Sequence, residues 1–159
     1  MTVRESFAIA ADGTRLYVRE RAGLGGRLTT ILCDGICCDG YIWKYLWDDL
    51  APSTRLCHWH YRGHGRSAAP RDADRIDIPA HADDLDRIRH HLGDGPVVLM
   101  GHSMGCQVVL EAFRRRPEKI QGVVLLCGSS GRLTSTFHGT DLWRAFCQSS
   151  FRSPKTAPG

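Results

Sequence analysis

Apolar and polar residues follow two kinds of pattern along this chain. Residues 6–10 and 14–21 alternate apolar with polar side chains around Asp12 and Gly13, which predicts an antiparallel β-hairpin. Continuous apolar runs predict buried strands at 29–33, 54–59, 97–100 and 122–127. The chain therefore supplies six candidate strands before residue 130.

Three segments between these runs carry helical spacing instead. They cover residues 41–50, 78–92 and 104 to about 116. In the second segment the apolar positions recur every three or four residues: Ile78, Ala82, Leu85, Ile88 and Leu92. Charged residues fill its other face, and we expect that face to be solvated. They are Asp83, Asp84, Asp86, Arg87 and Arg89.

Strands that alternate with helices predict an α/β fold with a mostly parallel sheet, helices on both faces and an N-terminal antiparallel hairpin. The 159 residues, 42% of them hydrophobic, suffice for one domain with a core. We place that domain at 1–131. The pattern loosens afterwards, so we predict a lid-like segment beginning at 132–152 and an unstructured tail at 153–159.

Charge and cysteine content narrow the class of protein. The chain has 21 Lys and Arg against 17 Asp and Glu, a net charge of +4 that implies no nucleic-acid partner. No apolar run is long enough for a membrane span, and residues 1–13 lack a secretion signal. The seven cysteines show no C-x-x-C spacing, which favours buried free thiols. We therefore expect a soluble cytoplasmic protein.

The most informative stretch is Gly-His-Ser-Met-Gly at 101–105, between an apolar strand and a helical pattern. This is the pattern of a nucleophile elbow, a tight turn that presents its central residue, Ser103, at the end of a strand. Gly101 and Gly105 leave room for the turn. Ser103 is then at a helix N-terminus, which favours developing negative charge. The alternative is a tight turn with an incidental serine.

Two further motifs lie upstream in a recognisable order. Arg-Gly-His-Gly-Arg-Ser at 62–67 resembles the R-G-x-G-x-S loop of many α/β-hydrolases, and Leu-Cys-Asp-Gly-Ile at 32–36, followed by Trp43, resembles their H-G-x loop. With the elbow, these motifs make residues 6 to 130 similar to the N-terminal part of an α/β-hydrolase. The resemblance implies an incomplete version of that fold, without its last strands.

The resemblance implies a serine esterase-like mechanism. Ser103 would attack a carbonyl carbon, and the backbone N–H groups of Met104 and Ile36 would hold the oxyanion. Gly35, Cys37 and His102 would line the pocket of a small ester-like substrate. No cofactor or metal is implied.

One departure from the family pattern is Asp34, where the family usually has histidine. A carboxylate beside an oxyanion opposes it unless the carboxylate is turned away or hydrogen-bonded. Cys37 and Cys38 in the same loop are also unusual, and we interpret them as small loop residues rather than reactive thiols.

A second departure concerns the catalytic triad of serine, acid and histidine. In the family an acid and then a histidine follow the serine, whereas here only His138 follows Ser103, with Asp141 after it. Their order is reversed, so we do not assign them as triad members. The sequence thus predicts a truncated chain of weak or absent activity, with an exposed sixth strand able to self-associate.

Other functions remain open at this point. A non-catalytic binding or interaction module that retains part of the fold is the main alternative. Within the family, Ser103 disfavours epoxide hydrolases and dehalogenases, which use aspartate at the elbow. Cofactor-free haloperoxidases, proline-type peptidases and C–C bond hydrolases keep serine and are not distinguished.

Overall fold

The computed structural model describes residues 2–23 and 28–128, which form one six-stranded sheet with three α-helices. The strands are β1 (Val3–Ile9), β2 (Arg15–Arg21), β3 (Thr29–Cys33), β4 (Arg55–Trp59), β5 (Val97–His102) and β6 (Ile120–Leu126). The helices are α1 (Lys44–Leu50), which follows a 3₁₀ turn at Tyr41–Trp43, α2 (Ile78–His91) and α3 (Met104–Arg115).

The strand order is β1-β2-β4-β3-β5-β6. The pairs β1–β2 and β2–β4 are antiparallel, whereas β3 pairs in parallel with β4 and β5, and β5 with β6. All five residues of β3 are buried, since it lies at the centre of the parallel part. The predicted α/β class, with a mostly parallel sheet and an antiparallel hairpin, is confirmed.

The two faces of the sheet carry separate apolar clusters. Ile31 and Leu99 pack in the cluster beneath α2 and α3, whereas Leu32 lies in the cluster with Trp43 and Trp47, on the side of α1. Successive strand residues point to opposite faces, so one strand contributes to both clusters. Helices therefore cover both faces, as the sequence predicts.

The hairpin turn and the helix ends follow from local chemistry. Asp12 accepts a hydrogen bond on its Oδ1 from the Thr14 N–H at 3.0 Å, and Gly13 takes the left-handed conformation with φ 84°. Helix α2 begins after Asp77, whose Oδ1 accepts from the Ala80 N–H at 2.9 Å. It ends before Gly93, which has φ 97°.

The prediction of a solvated polar face on α2 is wrong for three residues. Asp84, Asp86 and Arg89 are 1%, 7% and 8% exposed. Asp84 binds the guanidinium of Arg62 through two contacts of 2.6 Å, and Arg89 donates to the Arg116 carbonyl at 3.0 Å. The loop after β4 and the end of α3 therefore cover this face through polar contacts, which the periodicity of α2 alone does not reveal.

His81 on α2 makes stability depend on pH. Burial, with the nearby His64 and Arg62, lowers the pKa of His81 to about 4 from an ordinary value near 6.5. Below pH 6.5 the unfolded chain takes up a proton that the folded chain refuses, so the free energy of unfolding falls as the pH falls. We expect a loss of about 3 kcal/mol between pH 6.5 and 4. Urea unfolding across this range measures it.

The His81→Gln variant is the matched control for that prediction because glutamine does not titrate. Its stability should vary less between pH 6.5 and 4 than that of the parent protein. If the free energy of unfolding falls equally with pH in the two proteins, the effect does not come from His81. His60 is then the alternative source, because burial also lowers its pKa.

Within residues 2–23 and 28–128, no helix has the length and apolar character needed to cross a membrane. The predicted lid-like segment at 132–152 and the tail at 153–159 lie outside the described residues.

Candidate active site

Ser103 occupies the turn between β5 and α3 in a strained conformation. Its φ of 52° and ψ of −116° are rare for a residue with a side chain. The Ser103 N–H donates to the Leu126 carbonyl at 2.9 Å, and the Ser103 carbonyl accepts from the Cys106 N–H at 3.1 Å. The turn is therefore tied to β6 on one side and to α3 on the other, and it holds a half-buried serine.

The glycines on either side of Ser103 are required by close backbone approach. A Cβ at Gly101 would lie 2.5 Å from the Gly105 carbonyl oxygen, and a Cβ at Gly105 would lie 2.2 Å from the Cys33 carbonyl oxygen. Backbone atoms cannot move aside as a flexible side chain can. Helix α3 therefore starts in direct contact with the end of β3.

The loop after β3 lies against the elbow. A Cβ at Gly35 would lie 3.2 Å from the Ser103 Cβ and 3.0 Å from the Nδ1 of His102. The loop turns immediately, since the Cys38 N–H donates to the Gly35 carbonyl at 3.3 Å and Cys37 has φ 58°. The structure thus brings Gly35 and Ser103 together.

Ile36 and Met104 are the residues next to this contact. Ile36 follows Gly35 inside the turn, and Met104 is the first residue of α3. The first N–H groups of a helix have no partner within the helix, and they carry the positive end of its dipole. Both side chains are half-buried.

Asp34 is buried at 2% exposure and fully engaged. Its Oδ1 accepts from the indole Nε1–H of Trp43 at 2.5 Å, and its Oδ2 lies 2.8 Å from the Nε2 of His58. Its backbone carbonyl accepts from the Tyr61 hydroxyl at 2.9 Å. This carboxylate is hydrogen-bonded, which is one of the two conditions under which it would tolerate a neighbouring oxyanion. Sequence reasoning missed His58 and Tyr61 as its partners.

The other predicted pocket residues differ in exposure. His102 is half-buried, with its ring edge-on to Trp43 at a centroid distance of 6.4 Å. Cys37 is exposed, whereas burial raises the pKa of the half-buried Cys38 thiol. A raised pKa disfavours the reactive thiolate, which supports Cys38 as an unreactive loop residue.

The cysteines elsewhere in the described part are free thiols. Burial raises the pKa of Cys33 to about 12, and Cys57 is also fully buried with a raised pKa. Cys106 is buried and Cys127 is exposed, so the expectation of buried thiols holds for three of the six described cysteines, namely Cys33, Cys57 and Cys106.

The loop at 62–67 has a structural role, because its side chains connect several elements of the fold. Arg62 binds Asp84 and also Asp12, the latter at 3.0 Å. The Ser67 hydroxyl donates to the His60 carbonyl at 2.7 Å and accepts from the Tyr17 N–H at 2.8 Å. These contacts join the loop to α2, to β2 and to the hairpin turn rather than to Ser103.

The Ser103 hydroxyl needs a general base to act as a nucleophile. In the part of the chain that the structure describes, no side chain is hydrogen-bonded to the Ser103 hydroxyl. His138 and Asp141, the histidine and acid that the sequence places after the sixth strand, lie outside the described residues.

Known proteins resemble this chain in sequence. The family model described as alpha/beta hydrolase fold matches residues 30–152. Lipase LipV of Mycobacterium tuberculosis is 34% identical over 109 residues, which are 67% of this chain and 40% of the lipase. An epoxide hydrolase of Caballeronia sordidicola is 30% identical over 121 residues, 75% of this chain and 36% of that enzyme.

Solved structures give the same result. A putative aryl esterase from Burkholderia cenocepacia superposes with a TM-score of 0.72 at 30% identity, covering 80% of this chain and 48% of that chain. An esterase from Exiguobacterium antarcticum gives 0.70 at 26% identity, covering 79% and 46%. The chain thus spans less than half the length of these four relatives.

Proposed function

Because this chain belongs to the α/β hydrolase family, we propose that it is a serine hydrolase that cleaves an ester or related acyl bond through an acyl-Ser103 intermediate. The proposal rests on the strained backbone conformation of Ser103, whose φ is 52°, and on the position of Ser103 beside Gly35. A nucleophile presented at the end of a strand, against a loop and a helix N-terminus, suits attack on a carbonyl.

The proposed reaction has two steps. The Ser103 Oγ attacks the carbonyl carbon, and the oxyanion is held by the N–H groups of Met104 and Ile36 until the alcohol leaves with a proton. Water then cleaves the acyl–Oγ bond and releases the acid. The proton from the Ser103 hydroxyl requires a base, which the family provides with a histidine and an acid.

The substrate class follows from the nucleophile and the relatives. Among the proteins that this chain resembles, epoxide hydrolases use an aspartate at the nucleophile elbow. This chain has Ser103 at that position. The lipase and the putative aryl esterase among its relatives agree with acyl chemistry. We therefore propose a small ester-like substrate rather than an epoxide.

A non-catalytic binding module is the second candidate. It is favoured by one observation, namely that no described side chain is hydrogen-bonded to the Ser103 hydroxyl. Without a base, a serine is an ordinary alcohol, and catalysis by an oxyanion hole alone falls several orders of magnitude below that of a complete triad. We therefore expect slow turnover from the 159-residue chain.

Covalent labelling tests the proposed function. A fluorophosphonate reagent should attach once, at Ser103, because the phosphoryl oxygen would occupy the oxyanion position. The Ser103→Ala variant should not be labelled. The control replaces the exposed Ser53 by alanine, and this variant should still be labelled. Mass spectrometry of the labelled peptide identifies the site. Labelling that persists in Ser103→Ala would exclude the acyl-Ser103 mechanism, whereas a folded parent chain that is never labelled at Ser103 favours the binding module.

A further inference from the structure

Asp34 is the feature of this molecule that the proposed reaction leaves unexplained. It stands at the start of the loop 35–40, where a carboxylate near an oxyanion is unfavourable unless it is turned away or hydrogen-bonded. The side chains of Asp34, Trp43, His58 and Tyr61 are all at most 5% exposed. Burying a carboxylate is costly without strong partners, so this group depends on its contacts.

The contacts of Asp34 come from three separate elements. Trp43 belongs to the 3₁₀ turn before α1, His58 to β4, and Tyr61 to the loop that follows β4. Both carboxylate oxygens and the backbone carbonyl are used, at 2.5, 2.8 and 2.9 Å. The residue is thereby held on several sides, which leaves little freedom for the peptide that follows it.

The loop 35–40 is held at both ends by the same histidine. At its start, Asp34 bonds to the Nε2 of His58. At its end, Gly40 packs so closely on the His58 ring that a Cβ at Gly40 would lie 2.7 Å from the ring Cε1. Between these two points the chain turns at Ile36 and Cys37, directly after Gly35, which lies beside Ser103. A displacement of Asp34 is therefore transmitted directly to Gly35 and Ile36.

We propose that Asp34 is a positioning residue, whose hydrogen bonds to Trp43 and His58 hold the loop 35–40 so that the Ile36 N–H faces the Ser103 site. This inference rests on the proposed function for its catalytic consequence. The carboxylate acts through the loop and does not contact the substrate. Its charge is directed to the Trp43 N–H and the His58 ring.

The test compares Asp34→Ala with Asp34→Asn. Asparagine keeps an acceptor for Trp43 and a hydrogen-bonding group beside the His58 ring, whereas alanine removes both contacts. We expect the maximal rate of fluorophosphonate labelling, kinact, to fall about 10- to 100-fold in Asp34→Ala and about 3-fold or less in Asp34→Asn. The half-saturating concentration should change little, because the oxyanion contact forms only in the transition state.

A second readout does not require reactivity. In a ¹⁵N–¹H NMR spectrum, the Asp34→Ala variant should shift the amide resonances of Gly35 and Ile36 while leaving those in the C-terminal half of α3 in place. The control is Thr30→Val, which removes a buried contact of the preceding strand β3, the 3.2 Å hydrogen bond between the hydroxyls of Thr30 and Thr54. It should leave kinact and the Ile36 amide unchanged.

The outcomes separate the two proposals. A parent chain that is not labelled refutes the proposed function, and the Ile36 amide then still decides whether Asp34 positions the loop. A folded Asp34→Ala variant with parental kinact and an unshifted Ile36 amide overturns the positioning role. If Asp34→Ala does not fold, His58→Phe supplies the comparison, since it removes the ring nitrogen that bonds to Asp34 and keeps a ring beside Gly40; parental kinact and an unshifted Ile36 amide in that variant would likewise overturn the positioning role.

Discussion

Replacing Arg62 by methionine should lower the free energy of unfolding by about 3 to 5 kcal/mol. The guanidinium is 4% exposed and binds the carboxylate of Asp84, which is 1% exposed, through two contacts of 2.6 Å. Methionine fills the space but leaves Asp84 as an unpaired buried charge. Equilibrium unfolding in urea at pH 7 measures the loss, which is a large share of the stability of a domain of this size.

Two comparisons identify the unpaired charge as the cause. The double variant Arg62→Met, Asp84→Leu should be more stable than Arg62→Met alone, because it removes the uncompensated carboxylate. The free energy of unfolding that Arg62→Met loses relative to the parent should also become smaller as the pH falls from 7 to 5. Burial raises the pKa of Asp84 already in the parent, and without Arg62 the folded state binds a proton more readily than the unfolded one. A deficit that is independent of pH would contradict this cause.

Replacing Gly105 by alanine should lower the free energy of unfolding by about 1 to 3 kcal/mol, although alanine favours helices. The new Cβ would lie 2.2 Å from the Cys33 carbonyl oxygen and 2.7 Å from that of Asp34. Both are backbone atoms of β3 and its end, so α3 and the central strand must separate. Thermal unfolding measures the change.

Gly122→Ala is the matched control for this steric effect. Its Cβ would meet only the Val98 Cγ2, at an ordinary van der Waals distance of 3.8 Å. We expect the control to stay within about 0.5 kcal/mol of the parent. Gly105→Ala should also slow the labelling of Ser103, since the same shift moves Gly35 away from the elbow. Equal stability of the two variants would refute the close-contact argument.

The core of the fold is predictable from the sequence because buried positions are apolar and recur with the period of a helix or a strand. Helix α2 was expected at 78–92 and occupies Ile78–His91. The beginning of β1 was missed, since Val3–Glu5 pairs with Arg19–Arg21 at an edge where polar residues are tolerated. Periodicity shows which residues must be apolar. It does not show which polar residues a distant loop will bury, as with Asp84 and Arg62.

The candidate site was predictable for a related reason. The carboxyl ends of the neighbouring parallel strands β3 and β5 meet at one edge of the sheet, so the motifs that end them, with Gly35 and Ser103, had to approach each other. The contact of Asp34 with His58 depends instead on the register that pairs Leu32 with His58, and on the direction of each side chain. No local pattern encodes that information.

The hydrogen bond from the Ser103 N–H to the Leu126 carbonyl links the elbow to local unfolding. Among the described strands, β6 pairs with β5 alone, and its Leu125 is 45% exposed. Strands held on one side open at a lower free energy than the centre of a sheet. Each opening of β6 releases the backbone of Ser103 from its strained conformation. The geometry of the nucleophile therefore depends on the pairing of β6 with β5, and we expect warming to loosen it before the buried strands β3 and β4 separate.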